Sequence, residues 1–311
     1  MKLSIIVCTR NRAHAIIPCL DSVAQSLAHA ALADAEIVVV DNGSQDNTSA
    51  VVREWATSSA FSVRLLHEPR KGLAVARNCA LRAVQGELLV WTDDDCRLSK
   101  EHIADALRHD AADSEPVLRG GRVELGDLTD LPITIKASEI LTRWNRRTHH
   151  ARNANLFDSS FGCGMIIGCN MTMRRSIVEQ IGLFDERFGA GTNLPGAEDL
   201  DYFFRVYLAG ITIEYVPNMV VFHHHGRKLD SDAYKLMKNY MISLGGLYAK
   251  YLFKHSNLCR PFYWDLRNAL KETISGKSIY MPEIGFSFKT RVTFCIHGAI
   301  KYYLESIKKL M

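Results

Sequence analysis

Apolar positions in the first 95 or so residues fall into short blocks separated by polar loops and amphipathic stretches. Residues 3–8, 36–40, 63–66 and 88–91 are apolar runs too short to be helices, and each reads as a buried strand. Between them Ile16, Leu20, Val23 and Leu27 recur at helical spacing. Val51, Val52 and Trp55 open a second helix, and Ala76, Ala80 and Ala83 form the small face of a third. Four strand-then-helix units predict parallel strands joined by right-handed crossovers, an α/β doubly wound sheet. Its polar loops at 9–12, 41–44 and 93–95 then share the carboxyl edge, where open α/β sheets bind ligands.

The pattern continues less regularly. Residues 101–112 are expected to be helical, burying Ile103, Ala106 and Leu107. Residues 117–125 are expected to form a strand with a bulge at Gly120-Gly121. Residues 130–160 resist assignment; the basic segment 144–152 is either a loop over the site or a solvated helix. Glycines interrupt the apolar run 161–175, which permits close approach of another backbone or a ligand. Ser176 opens a short helix ending near Gly182. Leu200, Phe203, Phe204, Tyr207 and Leu208 then make one buried stripe, on a helix opened by Glu198, Asp199 and Asp201 and ended by Gly210. A strand is expected at 211–216, stopping at Pro217, before the run that leads to His223, His224 and His225.

Composition adds bounds. The 311 residues suffice for two modest domains or for one large one with an appendage. No stretch approaches the ~20 apolar residues of a spanning helix. The start meets Arg10 and Arg12 without a small-residue cleavage site, so it reads as a strand and not a signal peptide. The eight cysteines include no Cys-x-x-Cys, which points to reduced thiols in a cytoplasmic protein. Residues 227–311 hold 15 Lys/Arg against 6 Asp/Glu, so a basic tail follows a mildly acidic body.

The chemistry concentrates at Asp93, Asp94 and Asp95. Three adjacent carboxylates repel one another, and a divalent cation that keeps phosphate oxygens as its other ligands would offset them; a solvated acidic turn is the alternative. The acids at 198–201 are first-turn helix caps or catalytic groups. There is no Gly-x-Gly-x-x-Gly after the first strand and no Walker-type loop, which disfavours dehydrogenases and P-loop enzymes.

Taken in order, residues 4–12, 39–48, 72–78, 93–95, 168–170, 184–188, 198–201 and the late histidines give the chain a resemblance to family 2 glycosyltransferases of the GT-A fold. The resemblance covers 1–226 and implies a GT-A domain at 1–228, with a basic, mainly helical extension at 229–311. It implies an inverting enzyme that moves a sugar from a nucleotide-diphosphate donor to an acceptor hydroxyl on a glycan or lipid-linked acceptor. Asp95 is the implied ligand of Mg²⁺ or Mn²⁺, completed by His223 or, as its rival, His225. Asp93 would touch the ribose or a metal-bound water, beside Asp94. Asp41 would accept from the nucleotide base with Thr9 next to it. Arg10, Asn11, Arg12, Asn42 and Arg77 would help hold the donor. Asp199 is the implied general base, with Glu198 its rival, Asp201 structural and Asn170 secondary on the acceptor side.

Two other readings stand beside this one. A nucleotidyltransferase on a similar sheet normally has a Gly-rich basic loop after the first strand, which is missing here. A non-catalytic relative would act as a scaffold for other enzymes. In the tail, Tyr234, Met237, Met241, Leu244 and Leu247 recur at helical spacing, as do Phe294, Ile296, Ile300, Tyr303 and Leu304, with lysines on other faces. Such helices fit an anionic membrane surface, here the inner face of the plasma membrane, or packing on the body or in a homodimer. No nucleic-acid partner is expected.

Overall fold

The computed structural model describes residues 1–146 and 166–308. Four parallel strands carry the first half: β1 (Leu3–Thr9), β2 (Ala35–Asp41), β3 (Ser62–His67) and β4 (Leu88–Asp93). They lie in the order β3-β2-β1-β4, linked by α1 (Ile16–His29), α2 (Thr48–Ser58) and α3 (Leu73–Ala83). Then come β5 (Cys96–Leu98), α4 (His102–Ala111), β6 (Val117–Leu125), β7 (Thr142–Trp144), β8 (Asn170–Arg174), α5 (Arg175–Ile181), α6 (Glu198–Leu208) and β9 (Thr212–His223). The sheet continues from β4 through β8, β6 and β9 to β5, and β7 pairs with β9. Both β8 pairings and those of β5 and β7 are antiparallel.

The sheet is covered on both faces, so residues of both parities are buried in its central strands β1, β2 and β4. Ile5, Val7, Ile37, Val39 and Val90 belong to a core with Leu20 and Val23 of α1, Val52 of α2 and Ile103 of α4. Their neighbours of opposite parity, Ile6, Val38, Leu89 and Trp91, belong to a second core with Ala76 and Ala80 of α3 and Tyr202 and Phe203 of α6. A one-residue slip of any strand would exchange the two sets, so register is strongly specified.

Two expectations are corrected. The strand expected to stop at Pro217 runs on to His223. Proline is tolerated because the β6–β9 register shifts between Gly121 and Arg122, leaving 217–219 in a bulge outside the ladder. At Gly121 a Cβ would stand 1.9 Å from the Met219 carbonyl oxygen, so the bulge needs glycine there. Within the unassigned stretch, residues 142–144 form the short edge strand β7, so Trp144, the first residue of the segment 144–152 expected as a loop or solvated helix, is in a strand; that segment from 147 on lies outside the described residues, as do residues 161–165 of the glycine-containing run.

The tail forms α7 (Asp230–Tyr251), α8 (Arg260–Ser275) and α9 (Phe288–Lys308). Met237, Met241, Leu244 and Leu247 of α7 share one apolar cluster with Phe188, Leu194 and Phe203. Helices α7 and α9 meet backbone to backbone at Gly245 and Gly298, where added Cβ atoms would stand 1.9 and 1.7 Å from carbonyl oxygens of Cys295 and Ile242. Lys250 of α7 reaches Asp185 at 2.8 Å and also binds Asp201. Among the described residues no helix is long and apolar enough to cross a membrane.

Candidate active site

The parallel ladder fixes where the site forms. Thr9 pairs with Asp41 and Cys8 with Asp93, so three strand ends stand side by side. A cleft of about 260 Å³ opens at this edge, lined by Thr9, Arg10, Arg12, Lys71 and the three acids and closed by Ala190 and Gly191. Arg12 spans the acids, with Nε 3.3 Å from Asp94 and a terminal nitrogen 3.3 Å from Asp95. Arg10 donates to the Asn42 carbonyl oxygen at 2.5 Å.

The three carboxyls differ because their surroundings differ. Burial pushes Asp94 up to about 7, with Arg12 opposing and Asp95 reinforcing the shift. Burial also raises Asp93 against the pull of Arg77. Asp95 ends below the usual range: burial works against it, but its contact with His223 prevails. His223 Nε2 stands 3.4 Å from Asp95 Oδ1, and although burial disfavours the imidazolium, that contact pushes His223 up to about 9. Hard carboxylate oxygens and one imidazole nitrogen therefore converge at the cleft, a donor set that fits a divalent cation of the Mg²⁺ or Mn²⁺ type.

A second group of acids enters from α6. The Arg77 guanidinium is 3% exposed. It bonds Glu198 at 3.1 Å and lies 3.6 Å from Asp93, with Phe184 and Trp91 rings 5.4 and 5.9 Å away. The buried cation thus joins Asp93 at the end of β4 to the first turn of α6. Glu198 is buried and pushed up to about 7, by desolvation first and by Asp199 second, with Arg77 opposing. Asp199 is half-buried; its Oδ2 accepts from Gly168 N–H at 3.2 Å and its Oδ1 from Leu200 N–H at 2.8 Å. At Gly168 a Cβ would approach Asp199 Oδ2 to 2.9 Å and Arg77 to 3.1 Å. Asp199 lies in the first turn of α6. Ala197, just before the helix, has φ +65°, a strained conformation for a residue with a Cβ.

Several expected site residues have other work. Asn170 is fully buried; it donates to the carbonyl oxygens of Arg122 and Met219 at 2.9 and 2.8 Å and its oxygen lies 2.8 Å from His102 Nε2. It pins the β6–β9 bulge, so the expected acceptor-side role is corrected. His225 is corrected too: its Nε2 is 3.1 Å from the Leu131 carbonyl oxygen and its Nδ1 accepts from Arg227 N–H, which leaves no nitrogen for a metal. Asp201 is 0% exposed and bound by Arg205, Lys250 and Tyr251, a structural acid. Asp41 accepts from Ser44 N–H at 2.8 Å and from the Ser49 hydroxyl. Asn11 accepts from Gln45 N–H, and Asn42 bonds Glu68, Arg70 and Gly72. These three shape the loops of the rim, and Asp41 and Asn11 are not among the cleft-lining residues.

Two features went unread in the sequence. Lys71 lines the cleft, and the Arg70-Lys71-Gly72 loop ahead of α3 was its available signal. Thr134, whose hydroxyl lies 3.2 Å from His223 Nδ1, had none, being 89 residues away from it.

Known proteins match the sequence and the fold of this chain. The model of "Glycosyl transferase family 2" matches residues 4–182. The succinoglycan biosynthesis protein ExoM of Rhizobium meliloti (strain 1021) is 24% identical over 247 residues, covering 72% of this chain and 75% of that protein. Among solved structures, the mannosyltransferase PcManGT from Pyrobaculum calidifontis in complex with GDP-Man and Mn2+ aligns with a TM-score of 0.59 at 21% identity, over 98% of this chain and 87% of that one. S. aureus TarS 1–349 in complex with UDP-GlcNAc aligns with a TM-score of 0.54 at 19% identity, over 99% and 92%.

Proposed function

Given that the chain belongs to glycosyl transferase family 2 and is a sugar-transferring enzyme, we propose that it moves a sugar from a nucleotide diphosphate to an acceptor hydroxyl with inversion at the anomeric carbon. The observation that carries this reading is the Arg77 bridge, which ties Asp93 of β4 to Glu198 in the first turn of α6, next to Asp199. Arg12 and Lys71 supply cations at that cleft for a diphosphate. Asp41 faces the same rim, and lone pairs not used by Ser44 and Ser49 accept from the base, beside Thr9.

Asp95 and His223 would hold a divalent cation, with Asp93 and Asp94 flanking it. When bound, that ion neutralises the charge developing on the diphosphate leaving group. The chain's own residues do the rest. Asp199 takes the proton of the acceptor hydroxyl as its oxygen bonds to the anomeric carbon, and the diphosphate leaves with the electron pair of the broken bond. The two backbone N–H groups on Asp199 aim it, while Glu198, locked by Arg77, is the weaker candidate.

The acceptor is proposed to be a growing or lipid-linked glycan met at a membrane surface. On α8, Tyr263, Trp264, Leu270 and Ile274 are exposed, and on α9 Ile296, Ile300 and Ile307 are as well, in a segment with 15 basic against 6 acidic residues. A cavity of about 320 Å³ opens between α7, α8 and α9, lined mostly by apolar side chains. An apolar, basic face of this kind suits the surface of an anionic bilayer. On this reading 1–228 performs the transfer and 229–311 brings it to the acceptor.

The test is a thermal-shift panel of sugar nucleotides with and without Mn²⁺ or Mg²⁺. At least one donor is expected to raise Tm in a metal-dependent way, and Asp95→Ala to abolish that shift. If no sugar nucleotide raises Tm with either ion, the donor assignment is wrong.

A further inference from the structure

Cys96, Cys169 and His223 come from three places in the chain: β5, the residue ahead of β8, and the end of β9. The antiparallel β5–β9 pairing sets Cys96 opposite His223. One ligand atom from each of the three residues lies within 4.8 Å of the others, and the three are 0%, 2% and 7% exposed. Asp95 Oδ1 lies beside this group, 3.4 Å from His223 Nε2 and 3.8 Å from Cys96 Sγ, and is the nearest carboxylate to serve as a fourth ligand. Two sulfurs, one imidazole nitrogen and one carboxylate oxygen are a tetrahedral zinc donor set. Zn–S bonds of about 2.3 Å and Zn–N bonds of about 2.0 Å separate neighbouring donors by roughly 3.3–3.8 Å. The two sulfurs and the imidazole nitrogen, already within 4.8 Å of one another, reach that spacing by shifts of about an ångström or less, and Asp95 follows by turning its side chain toward them.

We infer that Cys96, Cys169, His223 and Asp95 form a site for a thiophilic divalent cation such as Zn²⁺ or Cd²⁺, sharing Asp95 and His223 with the hard-cation site, so that the two occupancies exclude each other. The sharing rests on the donor-site reading above; the thiolate coordination does not. Sulfur selects against Mg²⁺ and Mn²⁺, and zinc outranks Mn²⁺ in affinity for nitrogen and sulfur. A soft cation seated behind the carboxylates takes the two ligands that the sugar-donor chemistry needs. Binding breaks two S–H bonds and forms two metal–sulfur bonds; the protons pass to the buffer and no electron is transferred. The thiolates and Asp95 outweigh the ion by one negative charge, and Arg12, 3.3 Å from Asp95 Oδ2, faces that excess.

The experiment uses the full chain freed of metal and titrated with Co²⁺ alone. The expected result is thiolate-to-cobalt charge transfer in the near-ultraviolet with intense tetrahedral d–d bands. Cys96→Ser and Cys169→Ser are each expected to halve the charge transfer at saturation and to weaken Co²⁺ binding by about 100-fold, and the variant carrying both to lose it. Cys259→Ser, remote in the tail, keeps charge transfer and affinity. One equivalent of Zn²⁺ is expected to release bound Mn²⁺, read as recovery of the free-ion signal in electron paramagnetic resonance. The spectrum of the unaltered chain stands whether or not a variant folds. A weak octahedral cobalt spectrum without charge transfer overturns the site. Charge transfer that survives in the variant carrying both serines overturns the ligand assignment, and Mn²⁺ that stays bound beside Zn²⁺ overturns the exclusion.

Discussion

Replacing Arg77 with methionine removes the cation between two groups of acids while keeping much of the side-chain volume. Arg77 is 3% and Glu198 6% exposed, so the variant leaves Glu198 and Asp93 facing each other without a counter-charge. Removing one partner of a buried pair costs about 3–5 kcal/mol. With unfolding entropy of about 2.1 cal/mol/K per residue, a chain of 311 residues should lose roughly 5–8 °C in Tm. The loss depends on pH, and its sign follows from Glu198. Its carboxyl is raised to about 7 in the folded protein, above its unfolded value, so it binds a proton between about pH 4.5 and 7 that the unfolded chain does not. Stability therefore falls as pH rises through that window. Arg77 limits the rise, so its loss moves Glu198 up again. Each further unit makes the variant about 1 kcal/mol worse at pH 8 than at pH 6, relative to the parent. Urea unfolding of the parent, Arg77→Met, Glu198→Gln and the double variant at both pH values measures this. The double variant should recover at least about 1.5 kcal/mol of the single-variant loss at pH 8. A cost below about 1 kcal/mol at pH 8, an equal cost at both pH values, or no recovery in the double variant would refute the bridge.

Other outcomes follow from the same geometry. Asp199→Asn should lower sugar transfer by about 10²- to 10⁴-fold while keeping the donor-induced thermal shift; a variant with near-parent turnover removes Asp199 as base. Lys250→Met takes one of two cations from Asp185, which keeps Arg187, and one from Asp201, which keeps Arg205 and Tyr251. It should cost about 1.5–3 kcal/mol in calorimetry, and a change under about 0.5 kcal/mol would show that α7 does not depend on this contact. Trp264→Glu with Ile274→Glu removes two side chains that are 59% and 79% exposed. Binding to vesicles containing anionic lipid should fall about 10-fold or more and weaken with salt in the parent; equal partitioning of parent and variant would exclude that face.

What the chain decided by itself was local and periodic. The runs 3–8, 36–40, 63–66 and 88–91 fix four strands, of which β3 turns out to be a half-buried edge strand, and helical spacing between them fixes the crossovers; parallel order then follows from handedness, and it places Thr9, Asp41 and Asp93 on one edge. The stripe from Leu200 to Leu208 likewise fixes which way α6 faces. Tertiary structure decided which polar groups remain free. Asn170 and His225 look like Asn and His anywhere else in a sequence, and only the carbonyls of Arg122, Met219 and Leu131 use them up. Arg77 reads in the sequence as a cation that holds the donor, and only the fold shows its partner Glu198, 121 positions on. The strands β5 and β7 are three residues each, below the length at which alternation carries a signal, and they exist because β9 offers an unpaired edge. Apolar burial is a property of each residue and its near neighbours, so a pattern reveals it. Hydrogen-bond satisfaction and charge pairing belong to distances between remote segments, and folding sets those.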